Sequence, residues 1–164
     1  AGGGQEFGYR SGTQALPSIA GFGLAAELAE RDMSRELSSL SQLRDSLFDQ
    51  LAEIEALAVT GDRWCRLPHH ASFYLRSADG DQVSGKTLMR QMNLAGIGIS
   101  SGSACNSGKL VPSAALLALG YSERAAKSGI RLSLGRSTTQ ADIDWTVIVL
   151  KQVIERLSPK LVLC

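Results

Sequence analysis

Cys105 stands inside the stretch Ser-Ser-Gly-Ser-Ala-Cys-Asn-Ser-Gly, residues 100–108, in a chain that is otherwise 44% hydrophobic. A thiol is a nucleophile only as its thiolate, and only where a reaction partner can reach it. Serine and glycine give no apolar cover and leave the backbone free to move, so the stretch predicts an exposed sulfur on a loop that travels. Most single cysteines are small buried hydrophobes. That plainer role suits Cys65, in Arg-Trp-Cys-Arg-Leu, better than Cys105. Cys164 is the last residue of the sequence, where chains commonly fray.

Other side chains could join such chemistry. A Cys–His hydrolase needs a histidine base, and only His69 and His70 are available. They open a strand-like run, so one of the two is expected to point inward and serve the structure. A zinc site needs about four spaced ligands. Cys65 and His69 make one usable pair with no second, so no metal site is expected. Arg131 lies mid-strand among apolar residues, on the face opposite them, together with Ser133 and Gly135. A lone arginine there usually faces solvent. A glycine on the same face, however, often marks the close approach of a ligand, and a carboxylate suits the guanidinium fork. Residues 2–13, Gly-Gly-Gly-Gln-Glu-Phe-Gly-Tyr-Arg-Ser-Gly-Thr, could present backbone amides to a phosphate ahead of a helix. They match neither a Walker A loop nor a GxGxxG fingerprint.

The elements that must carry these residues read as follows. Pro17 suits a first helical turn, and apolar residues at helical spacing run from Ile19 to Ile54. One long helix, or two nearly collinear ones, is predicted over about 17–56. Ala71, Phe73 and Leu75 alternate with polar neighbours as a half-buried strand, and Ala-Asp-Gly-Asp at 78–81 is a turn. Ser84 is expected to cap a helix carrying Leu88, Met92 and Ala95, stopped by Gly96. Residues 96–100 read as a short strand, and Pro112–Leu119 as a short helix ended by Gly120. The run 130–136 is the most regular strand. A last helix starts near Thr139, which has capping-box spacing to Asp142, and carries Ile143, Val147, Leu150, Ile154 and Leu157 on one stripe. This order predicts an α+β fold, with helices over one face of a small sheet.

Bulk properties exclude some partners. The 164 residues fit one compact domain. Seventeen basic against sixteen acidic residues imply no nucleic-acid partner. No apolar run is long enough to span a membrane, and the opening Ala-Gly-Gly-Gly-Gln-Glu-Phe-Gly lacks the basic start and apolar centre of a signal peptide. Three scattered cysteines suit a reducing, cytoplasmic compartment. A start at Ala1, without methionine and beside a glycine cluster, predicts the interior of a longer protein.

Taken together, residues 2–13, residues 100–108 and Gly-Ile-Arg-Leu-Ser-Leu-Gly-Arg-Ser-Thr-Thr-Gln-Ala-Asp-Ile-Asp at 129–144 resemble the cysteine desulfurases of the NifS/IscS type, within the class-V aminotransferases. The stretches stand in that family's order and near its spacings, and the resemblance covers essentially the whole chain. Ser-Ser-Gly-Ser-Ala-Cys is similar to the branch with a long mobile cysteine loop. The resemblance implies the small C-terminal domain of the aminotransferase-like, pyridoxal-phosphate-dependent fold. Residues 1–16 would then be an active-site and dimer-interface segment, 17–56 a bridging helix, and 57–164 the small domain with its cysteine loop at 100–111. It further implies a homodimer that uses pyridoxal phosphate as an electron sink and converts L-cysteine to L-alanine. Cys105 would form the persulfide, Arg131 would hold the substrate carboxylate, and Thr13 would reach the cofactor phosphate of the partner subunit. The sulfur would pass to an iron–sulfur scaffold or another acceptor protein.

One departure is large. The family's Schiff-base lysine sits in a Ser-Gly-His-Lys context, which none of Lys86, Lys109, Lys127, Lys151 and Lys160 has. The cofactor-stacking histidine, the aspartate at its ring nitrogen and most of its phosphate ligands have no counterpart either. The chain therefore reads as about the C-terminal two-fifths of a desulfurase, inactive by itself. The alternative reading is a non-catalytic persulfide carrier or docking module. A helix that bridges two domains would also leave an apolar strip exposed along 19–54, favouring self-association or a swapped dimer.

Overall fold

The structure, a computed structural model, describes residues 2–76, 83–102 and 111–157. It divides into two compact units, Ala1–Glu36 and Leu37–Cys164.

In the first unit a 3-10 turn at Gln5–Gly8 precedes a long helix, α1 (Leu16–Leu51), which runs on into the second unit. Glu6 and Phe7 hold φ of 54° and 55°, a left-handed conformation that side-chain-bearing residues adopt only at a cost. Local bonds hold the segment in that shape. Gln5 Oε1 accepts from the Gly12 N–H (3.3 Å), and the Gln14 side-chain amide donates to Glu6 (3.2 Å). Pro17 falls in the first turn of α1, where a missing N–H costs nothing.

The second unit holds a four-stranded antiparallel sheet. Its strands are β1 (Leu57–Val59), β2 (His70–Leu75), β3 (Ser100–Ser101) and β4 (Ile130–Ser133), in the order β1-β2-β4-β3. The helices are α2 (Gly85–Leu94), α3 (Ala114–Ala118), α4 (Glu123–Ser128) and α5 (Gln140–Leu157). Strand parity sets the layers. Ala71, Phe73 and Leu75 of β2 and Ile130 and Leu132 of β4 point into the core, where they meet Leu47, Phe48 and Leu51 of α1, Leu88 and Met92 of α2, and Leu150 and Ile154 of α5. Phe48 and Phe73 pack with ring centres 5.2 Å apart. The opposite face carries His70, Ser72, Tyr74, Arg131 and Ser133. That face is partly covered too: Tyr74 meets Tyr121, which follows α3, at 5.6 Å.

Several expectations need correction. The long helix stops at Leu51 instead of 56, and the residues beyond it make a turn and then β1. Of the run 96–100 only Ser100 pairs in a strand, together with Ser101, because Gly96 (φ +81°) and Ile97 close α2: the Ile97 N–H bonds back to Met92 O at 2.9 Å. The most regular strand is shorter than 130–136, although Leu134 stays buried and its N–H reaches His69 O at 2.9 Å. Helix α4 is an addition, capped by Ser122. The exposed apolar residues of α1, among them Leu16, Ile19, Phe22, Met33 and Leu37, end at 37, whereas Leu47, Leu51 and Ile54 lie in the core. The turn expected at 78–81 lies outside the described residues. Among the described residues no helix is long and apolar enough to cross a membrane.

Candidate functional site

Antiparallel register builds a polar row across the outer face of the sheet. Arg131 on β4 stands opposite Ser72 on β2 and opposite Ser100 on β3. Beyond Ser72 the row continues to Thr60, whose N–H donates to Ser72 O (3.0 Å) and whose hydroxyl meets the Ser72 hydroxyl at 2.5 Å. A cavity of about 310 Å³ opens over this row, bounded by the loop that enters β2, by Gly102 after β3 and by Leu116 and Leu119 at α3. Its chemistry comes from Asp62, Cys65, Arg66, His70 and Arg131.

The loop of residues 60–69 is tightly organised. Gly61 turns with φ +70° and donates its N–H to Tyr121 Oη at 2.8 Å. Asp62 Oδ1 accepts from the N–H groups of both Trp64 and Cys65 at 2.6 Å, and these bonds hold its carboxyl below the usual range. Arg66 donates from Nε to Asp62 O (2.6 Å) and from Nη2 to Thr60 O, with its guanidinium 4.9 Å from the centre of the Phe48 ring. Burial, followed by the neighbouring Arg44, lowers the Arg66 pKa from the ordinary arginine value.

The residues expected to do chemistry fall in different places. Arg131 points away from the core, as strand parity required, and lines the cavity. Neither histidine points inward: His69 is exposed, and His70 is half-buried on the cavity face because Ala71, Phe73 and Leu75 occupy the core face. Burial first, then the charges of Arg66, Arg131 and His69, push the His70 imidazole below its usual range. Cys65 is exposed and lines the cavity, contrary to its expected role as a buried hydrophobe. The Asx turn at Asp62 keeps it off the core. Thr13 belongs to the first unit, is exposed, and its carbonyl accepts from Arg10 Nη1 at 3.0 Å. Cys105 and Cys164 lie outside the described residues. Arg66, Thr60 and Ser72 are the site residues that sequence reasoning missed. Ser72 carried a signal, its alternation with the core residues of β2, whereas Arg66 sits in an irregular loop with no periodicity to read.

The cavity suits an anion better than an entire cofactor. Among the described residues two guanidiniums and an imidazole face it against one carboxylate, and no lysine lines it. Of the described lysines, Lys86 is on α2, Lys127 on α4 and Lys151 on α5. The residues present thus fit a carboxylate and lack the covalent anchor of pyridoxal phosphate.

Over residues 3–145 the chain matches the family described as aminotransferase class-V. It is 40% identical over 156 residues to the protein named cysteine desulfurase IscS of Methylococcus capsulatus, covering 95% of this chain and 37% of that one. It is 38% identical to cysteine desulfurase IscS 1 of Archaeoglobus fulgidus, covering 95% of this chain and 40% of the relative. The solved NifS-like protein of Rickettsia africae superimposes with a TM-score of 0.79 at 28% identity, covering 94% of this chain and 39% of the other. The chain therefore spans about two-fifths of the length of the relatives it matches. Its small antiparallel sheet, helices and long first helix are those of the pyridoxal-phosphate-dependent aminotransferase fold. From the matched residues and the shared fold together, the chain belongs to the class-V aminotransferase family.

Proposed function

We propose that this chain is the C-terminal part of a cysteine desulfurase, which converts L-cysteine to L-alanine and leaves the sulfane sulfur on Cys105 as a persulfide. The observation that carries this reading is the identity of about 40% to proteins of that activity across 95% of the chain. The placement of Arg131 on an anion-suited cavity supports it.

In this reading Arg131 binds the substrate carboxylate through its fork, with Ser72 and Ser100 flanking it. The Cys105 thiolate attacks the substrate sulfur. An S–S bond forms, the substrate's C–S bond breaks, and the electron pair stays on the carbon, which takes up a proton to give alanine. Pyridoxal phosphate, the cofactor of the family, supplies the electron sink when bound. Its Schiff-base lysine comes from residues other than those of this chain, and Thr13 reaches the cofactor phosphate of the partner subunit in a homodimer. The persulfide then passes to an iron–sulfur scaffold or another acceptor protein in the cytoplasm. The domain roles follow: 1–16 as the active-site and interface segment, 17–56 as the bridging helix, 57–164 as the small domain.

A second reading, in which the chain only carries persulfide or docks a partner, is favoured by the absence of a lysine from the cavity among the described residues. Two assays separate the readings. Exposure of the chain to a competent desulfurase with L-cysteine, followed by intact-mass measurement, is expected to add one sulfur atom at Cys105 and none in Cys105→Ser. An adduct that survives Cys105→Ser overturns both. The chain joined to the missing part of its protein is expected to release alanine from L-cysteine in the presence of pyridoxal phosphate. Failure there, with the adduct intact, leaves the carrier.

A further inference from the structure

We propose that Arg66 and His70 complete, with Arg131, an anion-binding cavity in which entry of an oxyanion is coupled to protonation of His70. This rests on the reading of Arg131 as a carboxylate ligand and extends it to two residues without an assigned role.

The geometry comes first. Parity places His70 on the cavity face of β2, two residues from Ser72, the residue opposite Arg131. His70 and Arg131 are therefore diagonal neighbours across the ladder, roughly 7–8 Å apart along the backbone. Arg66 is fixed by its bonds to Asp62 O and Thr60 O and by the Phe48 ring. Its Nη1 is buried and has no hydrogen-bond partner among the described residues. A charged donor left so is costly, and the guanidinium that carries it lines the cavity, where an acceptor-only oxyanion is the ligand class that suits it.

The charged and titratable groups facing His70 are Arg131 from β4 and Asp62, Cys65, Arg66 and His69 from the loop before β2. The wall at α3, through Leu116 and Leu119, is uncharged. Asp62 already accepts from two backbone N–H groups. Burial, followed by the fields of Arg66 and Arg131, disfavours the imidazolium. A bound anion offsets their field and makes the imidazolium affordable, and the imidazolium then donates from both ring nitrogens. The proton comes from solvent. By reciprocity the anion binds more tightly where His70 is already protonated. The volume, about 310 Å³, suits a small carboxylate, sulfate or phosphate.

Inorganic sulfate is the probe, since it does not titrate in the relevant range. Calorimetric titration of this chain at about pH 6 and pH 8, in two buffers of different ionisation heat, is expected to show tighter binding at the lower pH. Uptake of up to one proton per sulfate would weaken binding by at most about tenfold per pH unit. Arg131→Ala is expected to abolish binding, and His70→Asn to leave weak binding that does not respond to pH. Binding that Arg131→Ala removes, but whose pH response His70→Asn leaves unchanged, overturns the coupling and spares the carboxylate reading. No sulfate binding at either pH overturns both. Should the variants fail to fold, the wild-type chain answers by proton NMR, since it has only two histidines. The His70 ring resonance is expected to titrate at higher pH with sulfate than without, and an unmoved midpoint overturns the coupling.

Discussion

Arg131 is the residue at which sequence pattern and structure meet most directly. The alternation of Ile130, Leu132 and Leu134 left it no route into the core, and the outer face of the sheet turned out to be a cavity wall. A charge-assisted pair of this kind contributes about 1.5–3 kcal/mol. On the desulfurase reading proposed above, Arg131→Ala in the whole protein is therefore expected to cost about ten- to a hundredfold in kcat/KM for L-cysteine, read from initial rates of alanine formation. An unchanged kcat/KM would remove Arg131 from substrate binding. Arg131→Lys should fall between the two, keeping the charge and losing the fork. Cys65 shows where local sequence misleads. Its neighbours Trp64 and Leu67 suggested burial, yet both are exposed, since the side chain of Asp62 captures the backbone N–H groups that would otherwise start a regular element.

Among the elements, the longer helices with a capping signal were legible, whereas β1 and α4 were not. Ser84 caps α2 by accepting from the Thr87 N–H, and Thr139 and Asp142 form the reciprocal box that opens α5: the Asp142 N–H donates to Thr139 Oγ1 at 3.3 Å, and Asp142 Oδ2 accepts from the Thr139 N–H at 2.8 Å. Strand β1, three residues long, and α4, six residues long, offer too few positions for either periodicity to declare itself. The box also sets a pH response. The Thr139 hydroxyl, then its N–H, hold the Asp142 carboxyl below the usual range. A carboxyl with a lowered folded pKa stabilises the fold above its unfolded value of about 3.9, and that contribution is lost as pH falls through the folded value. Thr139→Ala is expected to cost about 1 kcal/mol at neutral pH. Its urea midpoint should also fall less than the wild type's on acidification below about pH 4. Equal acid sensitivity in both proteins would remove the box as the cause.

At the scale of the whole molecule, the fold class was readable and the full catalytic apparatus was not, since the chain spans about two-fifths of the relatives it matches. The apolar pattern of α1 predicted one continuous strip, but its two parts differ. Leu47, Phe48 and Leu51 are almost wholly enclosed, whereas Leu16 is 71% and Phe22 is 78% exposed. Periodicity reports which residues share a helix face, not whether a neighbour covers that face. The exposed part favours association. Light scattering at high concentration is expected to give a mass above that of one chain, lowered by Phe22→Ser. A single-chain mass for the unaltered protein would contradict this.

Gly85, the first residue of α2, carries a consequence for the cavity. A β carbon there would overlap the carbonyl oxygen of Gly129, the residue that joins α4 to β4. Any larger side chain at 85 would act as a wedge beneath the strand bearing Arg131, two residues further on. The bare backbone at that point is a spacer of fixed thickness. A methyl group added some distance from the guanidinium would re-aim it without touching it.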